Sequence, residues 1–194
     1  CFRRLNALWL FNACLSFDGF SHFFCDNRLR SCVNNRGLGR NLSRFNGLEN
    51  DAWFTASPDF IRVLGTALDV GQKTSGAYDV TVSPLVDLWG FGPGGVVDTP
   101  PSEQEIALML SRVGQQNIQL DAGRLRVQKR AALAMDFSSL AKGYAVDQVA
   151  EWLLAQGIER FMVEVGGEMR LSGLSGRGDP WRIAIEQPES TTRS

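Results

Sequence analysis

A chain of 194 residues with 44% apolar and 21% charged side chains has the composition of an ordinary globular protein, able to bury a core and long enough for one domain. Its 20 basic and 21 acidic residues leave a net charge of −1, which excludes the basic excess that nucleic-acid and polybasic membrane-binding modules need. A single histidine, His22, leaves little for imidazole triads or His-rich metal sites, and no apolar run reaches the roughly 20 residues of a membrane-spanning helix.

Residues 1–41 are the least legible stretch. Cys1, Cys14, Cys25 and Cys32 fit neither a CxxC redox pair nor a zinc-ligand spacing. The short apolar "ALWLFNACL" behind Arg3 and Arg4 hints at a signal peptide but has no small-residue cleavage site. A targeting segment and a mis-translated or fragmentary end are both left open, and 1–41 is expected to be irregular and loosely attached.

From residue 42 the pattern becomes orderly. "SPDFIRVLGTALDVGQKTSG" predicts a helix near 58–75: Ser57 is an N-cap, Pro58 suits the first turn and Asp59 the positive dipole end. Phe60, Ile61, Leu64, Ala67 and Leu68 supply its apolar face. "AYDVTVSPLVDLWGFGPGG" reads as a β-prone piece running into a Gly/Pro-rich loop. "PPSEQEIALMLSRVG" predicts a helix near 102–113, with a Ser102–Glu105 capping box and Gly114 as terminator.

"NIQLDAGRLRVQKR" alternates on both sides of "DAG", as a hairpin does. "SSLAKGYAVDQVAEWLLAQG" predicts a helix near 138–156 that turns Leu140, Tyr144, Val149, Leu153 and Leu154 to a core and stops at Gly157. "RFMVEVGGEMRLSG" gives strand, Gly166–Gly167 turn, strand, and "WRIAIEQP" alternates until Pro188. Helices intermixed with hairpin-linked strands make the fold α+β. The expected organisation is a domain over 42–188 and a short tail at 189–194.

Three constellations could carry chemistry. In "MDFSSLAKGYAVD", residues 135–147, an acid, two hydroxyls and a lysine gather at a helix start. That start offers unpaired N–H groups and a partial positive charge, to which Lys142 adds a full one. Ser138 and Ser139 can donate to phosphate oxygens, and Asp136 can accept from a ribose hydroxyl or a ring N–H. Plain helix capping by Asp136 or Ser138, with Lys142 as a solvated charge, explains the same residues. In "LWGFGPGG", Trp89 and Phe91 flank Gly90, so two aromatic faces sit on backbone that a flat ring can approach; a core-anchoring turn is the other reading. "EVGGEMR" allows close backbone contact at Gly166–Gly167, or is simply a turn. A serine or cysteine nucleophile is disfavoured, because no G-x-S-x-G elbow is present and the only histidine lies in the illegible segment.

Taken in order, "LSRFN" at 42–46, "GAYDVTVSPLVDLWGFGP" at 76–93, "MDFSSLAKGYAVDQVAEWL" at 135–153, "VEVGGEMR" at 163–170 and "PWRIAIEQP" at 180–188 resemble the FAD:protein FMN transferases, the ApbE-like flavin transferases. The resemblance implies a T-fold-related α+β domain. It further implies an enzyme that binds FAD, splits its pyrophosphate with Mg²⁺ and releases AMP. The FMN passes to a Thr or Ser hydroxyl of a target flavoprotein. Carried over position by position, Trp89, Gly90 and Phe91 correspond to the flavin-contacting segment, Asp136 and Lys142 to FAD contacts, and Ser139 to a position that supplies a magnesium ligand. No catalytic side chain is assigned.

Periplasmic placement, as a soluble or membrane-attached lipoprotein without a transmembrane segment, is implied by the same likeness. Two departures stand out. "CVNNRGLGR" replaces an aromatic-containing stretch that contributes to the family's FAD site. The family's Ser-Gly-rich segment, "DP-x-T-G" motif and Asp/Thr metal-ligand motif are not found before Ser194. The chain as given is therefore expected to transfer FMN poorly or not at all. A non-catalytic flavin- or nucleotide-binding module, or an inactive fragment of such an enzyme, is the alternative.

Overall fold

The computed structural model describes residues 13–17, 20–21, 35–92, 95 and 97–184. In chain order the elements are β1 (Ala13–Phe17), β2 (Phe20–Ser21), α1 (Asn35–Asn46), β3 (Phe54–Thr55), α2 (Pro58–Lys73), α3 (Ser83–Leu88), α4 (Glu103–Leu110), β4 (Ile118–Asp121), β5 (Arg126–Lys129), α5 (Ser138–Ala155), β6 (Phe161–Val165) and β7 (Glu168–Ser172). The class is α+β with antiparallel strand pairs, as read from the pattern. Two compact units share the chain, residues 34–141 and residues 1–33 with 142–194. The segment 42–188 thus spans both, and the division falls inside α5.

In the unit 34–141, α2 forms for the reasons its sequence gives. Ser57 Oγ accepts from Phe60 N at 3.3 Å, Pro58 occupies the first turn, and Phe60, Ile61, Val63, Leu64 and Ala67 are buried. Phe60 is the hub of an aromatic cluster, with ring centroids 6.2 Å from Phe45, 6.3 Å from Phe54 and 5.3 Å from Phe137. Such contacts combine large apolar burial with tilted ring geometry. β4 and β5 make the expected hairpin, paired from Ile118↔Lys129 to Asp121↔Arg126, and β3 adds to the far edge of β5. Asp121 closes its loop by accepting from Arg124 N at 3.2 Å and Arg126 Nε at 2.9 Å.

Two expectations for this unit need correction. Of the β-prone "AYDVTVSPLVDLWG", residues 77–82 form turns and a parallel bridge, Val82↔Ala134, and Ser83–Leu88 fold into α3. Ser83–Pro84 explains the change, since proline presets a helical φ in a first turn and lacks the N–H that a strand must donate. The capping box of α4 is present, but the helix ends at Leu110, before the expected 113. None of its side chains is buried, so no core face rewards a further turn.

The other unit is built on a four-stranded sheet, order β2-β1-β6-β7. β6 and β7 pair from Val165↔Glu168 to Phe161↔Ser172. Their connection is Gly166 and Gly167, at φ 59° and 96°; two positive φ values in succession match the right-handed strand twist. One face of β6 (Phe161, Val163, Val165) packs against Val146, Val149, Ala150 and Leu153 of α5. Leu154, expected in the core, is 42% exposed, while Ala145 and Val146 are buried instead. α5 is apolar on several sides, so its sequence pattern does not select one face.

Regular structure also reaches into the segment 1–41. β1 pairs with β6 from Ala13↔Val165 to Ser16↔Met162, β2 pairs with β1, and residues 35–41 belong to α1 with Leu38 buried. Cys1, Cys25, Cys32, His22 and the opening of "ALWLFNACL" lie outside the described residues. The alternating "WRIAIEQP" forms no strand over 181–184, and its last four residues are likewise outside. Trp181 instead donates its indole N–H to Ser172 O at 3.0 Å. No helix among the described residues is long and apolar enough to cross a membrane.

Candidate functional site

Two stretches of the unit 34–141 meet where the sequence concentrates polar groups. Residues 80–82 run beside 134–136, joined by the Val82↔Ala134 bridge and by Asp136 N donating to Val80 O at 2.9 Å. Ahead of this junction, Asp79 and Thr81 form a closed network. Asp79 Oδ1 accepts from Thr81 N at 2.8 Å and Thr81 Oγ1 at 2.6 Å, and Oδ2 accepts from Gln115 N at 3.0 Å. The buried Thr81 hydroxyl in turn accepts from Gly114 N at 2.7 Å. Buried polar groups that satisfy each other in this way hold a unique arrangement. Here they fix the backbone that carries Tyr78.

The result is a cleft of about 370 Å³ with Tyr78, Asp79, Phe91, Asp136, Ser138 and Ser139 among its lining residues. This volume is within the range of small-molecule sites. Val82 and Val86 add apolar wall. At the mouth of α5, Phe137 is buried against Phe60, and its carbonyl accepts the N–H groups of Leu140 and Ala141. Asp136 Oδ1 accepts from Ser138 N at 2.5 Å. The capping reading of Asp136 is thus realised, and it uses one of the two carboxylate oxygens. The hydroxyls of Tyr78 and Ser139 share a hydrogen bond of 3.1 Å.

Of the residues singled out from sequence, the cleft brings together Phe91, Asp136 and Ser139. Phe91 is 83% exposed, so its ring stands open to solvent at the cleft. Trp89, 45% exposed, is not among the lining residues. Gly90 serves the turn itself: φ is 76°, and a Cβ there would fall within 2.7 Å of Val97 N. Lys142, one turn into α5, donates from Nζ to Gly166 O at 3.3 Å, which ties the first and third constellations together. Sequence reasoning passed over Tyr78, Asp79 and Asn46. Tyr78 and Asp79 had a signal, a tyrosine and an acid beside β-branched residues in "AYDVTV". Asn46 appeared in the sequence only as the last residue of "LSRFN".

Ser139 and Asp136 offer hard oxygen atoms, the kind Mg²⁺ prefers, but an octahedral shell needs more of them. Among the described residues no group of three or more His, Cys, Asp or Glu side chains could hold a metal ion. The donor set seen here is too small for the magnesium site that the family resemblance implies.

Residues 27–194 match the ApbE family, a span that starts ahead of "LSRFN". The chain is 43% identical over 153 residues to the FAD:protein FMN transferase of Vibrio cholerae, covering 79% of this chain and 46% of that protein. It is 42% identical over 154 residues to the FAD:protein FMN transferase of Haemophilus influenzae, covering 77% and 44%. The solved flavin transferase ApbE of Vibrio cholerae superposes with a TM-score of 0.75 at 40% identity, over 84% of this chain and 53% of that one. The apo flavinyl transferase ApbE of Pseudomonas stutzeri gives 0.72 at 33% identity, over 88% and 58%. The chain spans about half the length of the curated relatives it matches.

Proposed function

This chain belongs to the ApbE family, and from that premise we propose that the whole protein is an FAD:protein FMN transferase. In the proposed reaction, a Thr or Ser hydroxyl of a target flavoprotein attacks the FMN phosphorus of FAD. A new P–O ester forms, the pyrophosphate P–O bond breaks, the hydroxyl proton is lost, and AMP leaves. Transfer of this type depends on positioning and charge neutralisation rather than on a protein nucleophile.

The observation that carries the proposal is the cleft in which an 83% exposed Phe91 shares walls with Asp136 and the first residues of α5. An aromatic face open to solvent suits a flat heteroaromatic ring, and a carboxylate beside a helix start suits ribose hydroxyls followed by phosphate. We assign Phe91 to the flavin ring, with Trp89 flanking it and Gly90 holding the turn. Asp136 is assigned to an FAD hydroxyl or ring N–H, and Lys142 to a phosphate oxygen. Mg²⁺ belongs to the proposal as the family's ion, with Ser139 as one oxygen donor. The acceptor is a flavoprotein subunit, and the proposed location is the periplasm.

The test uses the whole protein. FAD is titrated by its fluorescence. FAD, Mg²⁺ and an acceptor flavoprotein are then supplied, and AMP and protein-bound flavin are measured. Saturable FAD binding with AMP released in step with flavin attachment is expected. FAD binding without AMP release would leave a flavin-binding module, and no FAD binding at all would sink the assignment.

A further inference from the structure

The end of α1 grips the segment that leads into Asp136. Asn46 Nδ2 donates to Met135 O at 2.9 Å, and its Oδ1 accepts from Met135 N at 2.9 Å. One side-chain amide therefore pairs both backbone groups of the residue before Asp136, as a neighbouring strand would. The main chain of Asn46 is held in turn. Lys129 Nζ, on a buried side chain, donates to Asn46 O at 2.9 Å and to Leu133 O at 3.3 Å, and lies 5.6 Å from the ring centroid of the buried Phe45. Burial pushes the Lys129 ammonium below the usual lysine pKa. The segment 133–135 is thus tied at two carbonyls and one N–H by groups from α1 and β5.

We propose that Asn46 is a positioning residue for the ligand cleft, holding Met135 so that Asp136, Ser138 and Ser139 face it. The proposal rests on the FAD reading of that cleft and deepens it. The physical reason is geometric. Asp136 follows Met135 directly, so a change in the Met135 peptide planes swings the Asp136 carboxylate, and binding falls steeply when polar groups miss their partners. An amide is the side chain suited to this task, since it presents a donor and an acceptor side by side.

The test compares wild type, Asn46→Ala, Asn46→Asp and the packing control Val63→Ala, a buried position on α2, all in the whole protein. Amide exchange at 133–139, the thermal midpoint and FAD affinity are measured. Asn46→Ala is expected to speed exchange at Met135 and Asp136 while α2 stays protected, and to weaken FAD binding roughly 5- to 30-fold, the equivalent of two lost hydrogen bonds. Val63→Ala should lower the thermal midpoint yet leave the affinity of the folded protein unchanged. The carboxyl introduced by Asn46→Asp can donate and accept only when protonated. Lys129 is the charged group bonded to this residue. The affinity of Asn46→Asp relative to wild type at the same pH should therefore improve as pH falls. If wild type binds FAD and Asn46→Ala binds it equally well, the positioning role is overturned and the FAD reading stands. If wild type binds no FAD, that reading falls, and exchange at 135–139 decides the clamp: faster in Asn46→Ala supports it, unchanged overturns it.

Discussion

Phe91 and Lys142 show how differently two exposed side chains can be used. Phe91 is 83% exposed beside polar cleft residues, so its ring adds little to folding. Phe91→Ala should leave the thermal midpoint nearly unchanged, because exposed substitutions usually stay within about 0.5 kcal/mol. It should weaken FAD binding by about 0.5–1.5 kcal/mol, the value of an aromatic stacking contact. Equal FAD affinity in a fluorescence titration would return Phe91 to the role of a surface turn residue. Lys142 bonds Gly166 O at 3.3 Å among the described residues, and an exposed contact of that length contributes little stability. Lys142→Ala should therefore remain folded while losing about 1.5–3 kcal/mol of FAD binding, the range for a charge-assisted bond to phosphate. An unaltered titration would leave Lys142 as a support for the Gly166–Gly167 turn. Asp136 was legible from its place before a helix. That its backbone is fixed through Met135 was not, because Asn46 lies far from it along the chain.

Elements with local punctuation formed where their sequences put them, and α4 gives the sharpest test. Ser102 Oγ accepts from Glu105 N at 3.3 Å while Glu105 Oε2 accepts from Ser102 N at 2.8 Å. Ser102→Ala should cost about 1 kcal/mol, the usual worth of a cap, read as a shift in urea midpoint. Hydrogen bonds from the Ser102 hydroxyl and N–H hold the Glu105 carboxyl below its ordinary 4.5. A depressed folded-state pKa means that this stabilisation is complete above the unfolded-state value and is lost as pH falls through the folded one. Glu105→Gln should accordingly flatten the acid side of the stability profile, and a profile identical to wild type would show that the box carries no linked proton. The misread elements share a cause. "AYDVTVSP" has β-prone residues, yet among the described residues it forms no strand, only the Val82↔Ala134 bridge and the bond from Asp136 N to Val80 O. A strand needs a partner edge, which propensity does not supply.

At the scale of the whole chain, the sheet order β2-β1-β6-β7 places β6 between β1 and β7. Deleting residues 1–21 should turn β6 into an edge strand, with faster amide exchange at Phe161–Val165 and a stronger tendency to aggregate. Unchanged protection at β6 would show that the N-terminal pairing adds nothing to it. By itself the sequence determined what depends on neighbours in the chain. The caps at Ser57 and Ser102, the turn at Gly166–Gly167, the β4–β5 hairpin and the helix opening after Asp136 were all readable, because each is held by groups within a few residues. The ordered motifs also pointed to the flavin transferase family. Only the tertiary structure decided what depends on distant partners. It brought Phe91 and Tyr78 to one cleft with Asp136, set Asn46 against Met135, buried Lys129, and paired β1 with β6. The physical reason is that long-range pairing and burial are fixed by which surfaces meet when the chain closes on itself, and a one-dimensional pattern carries only the period of each surface.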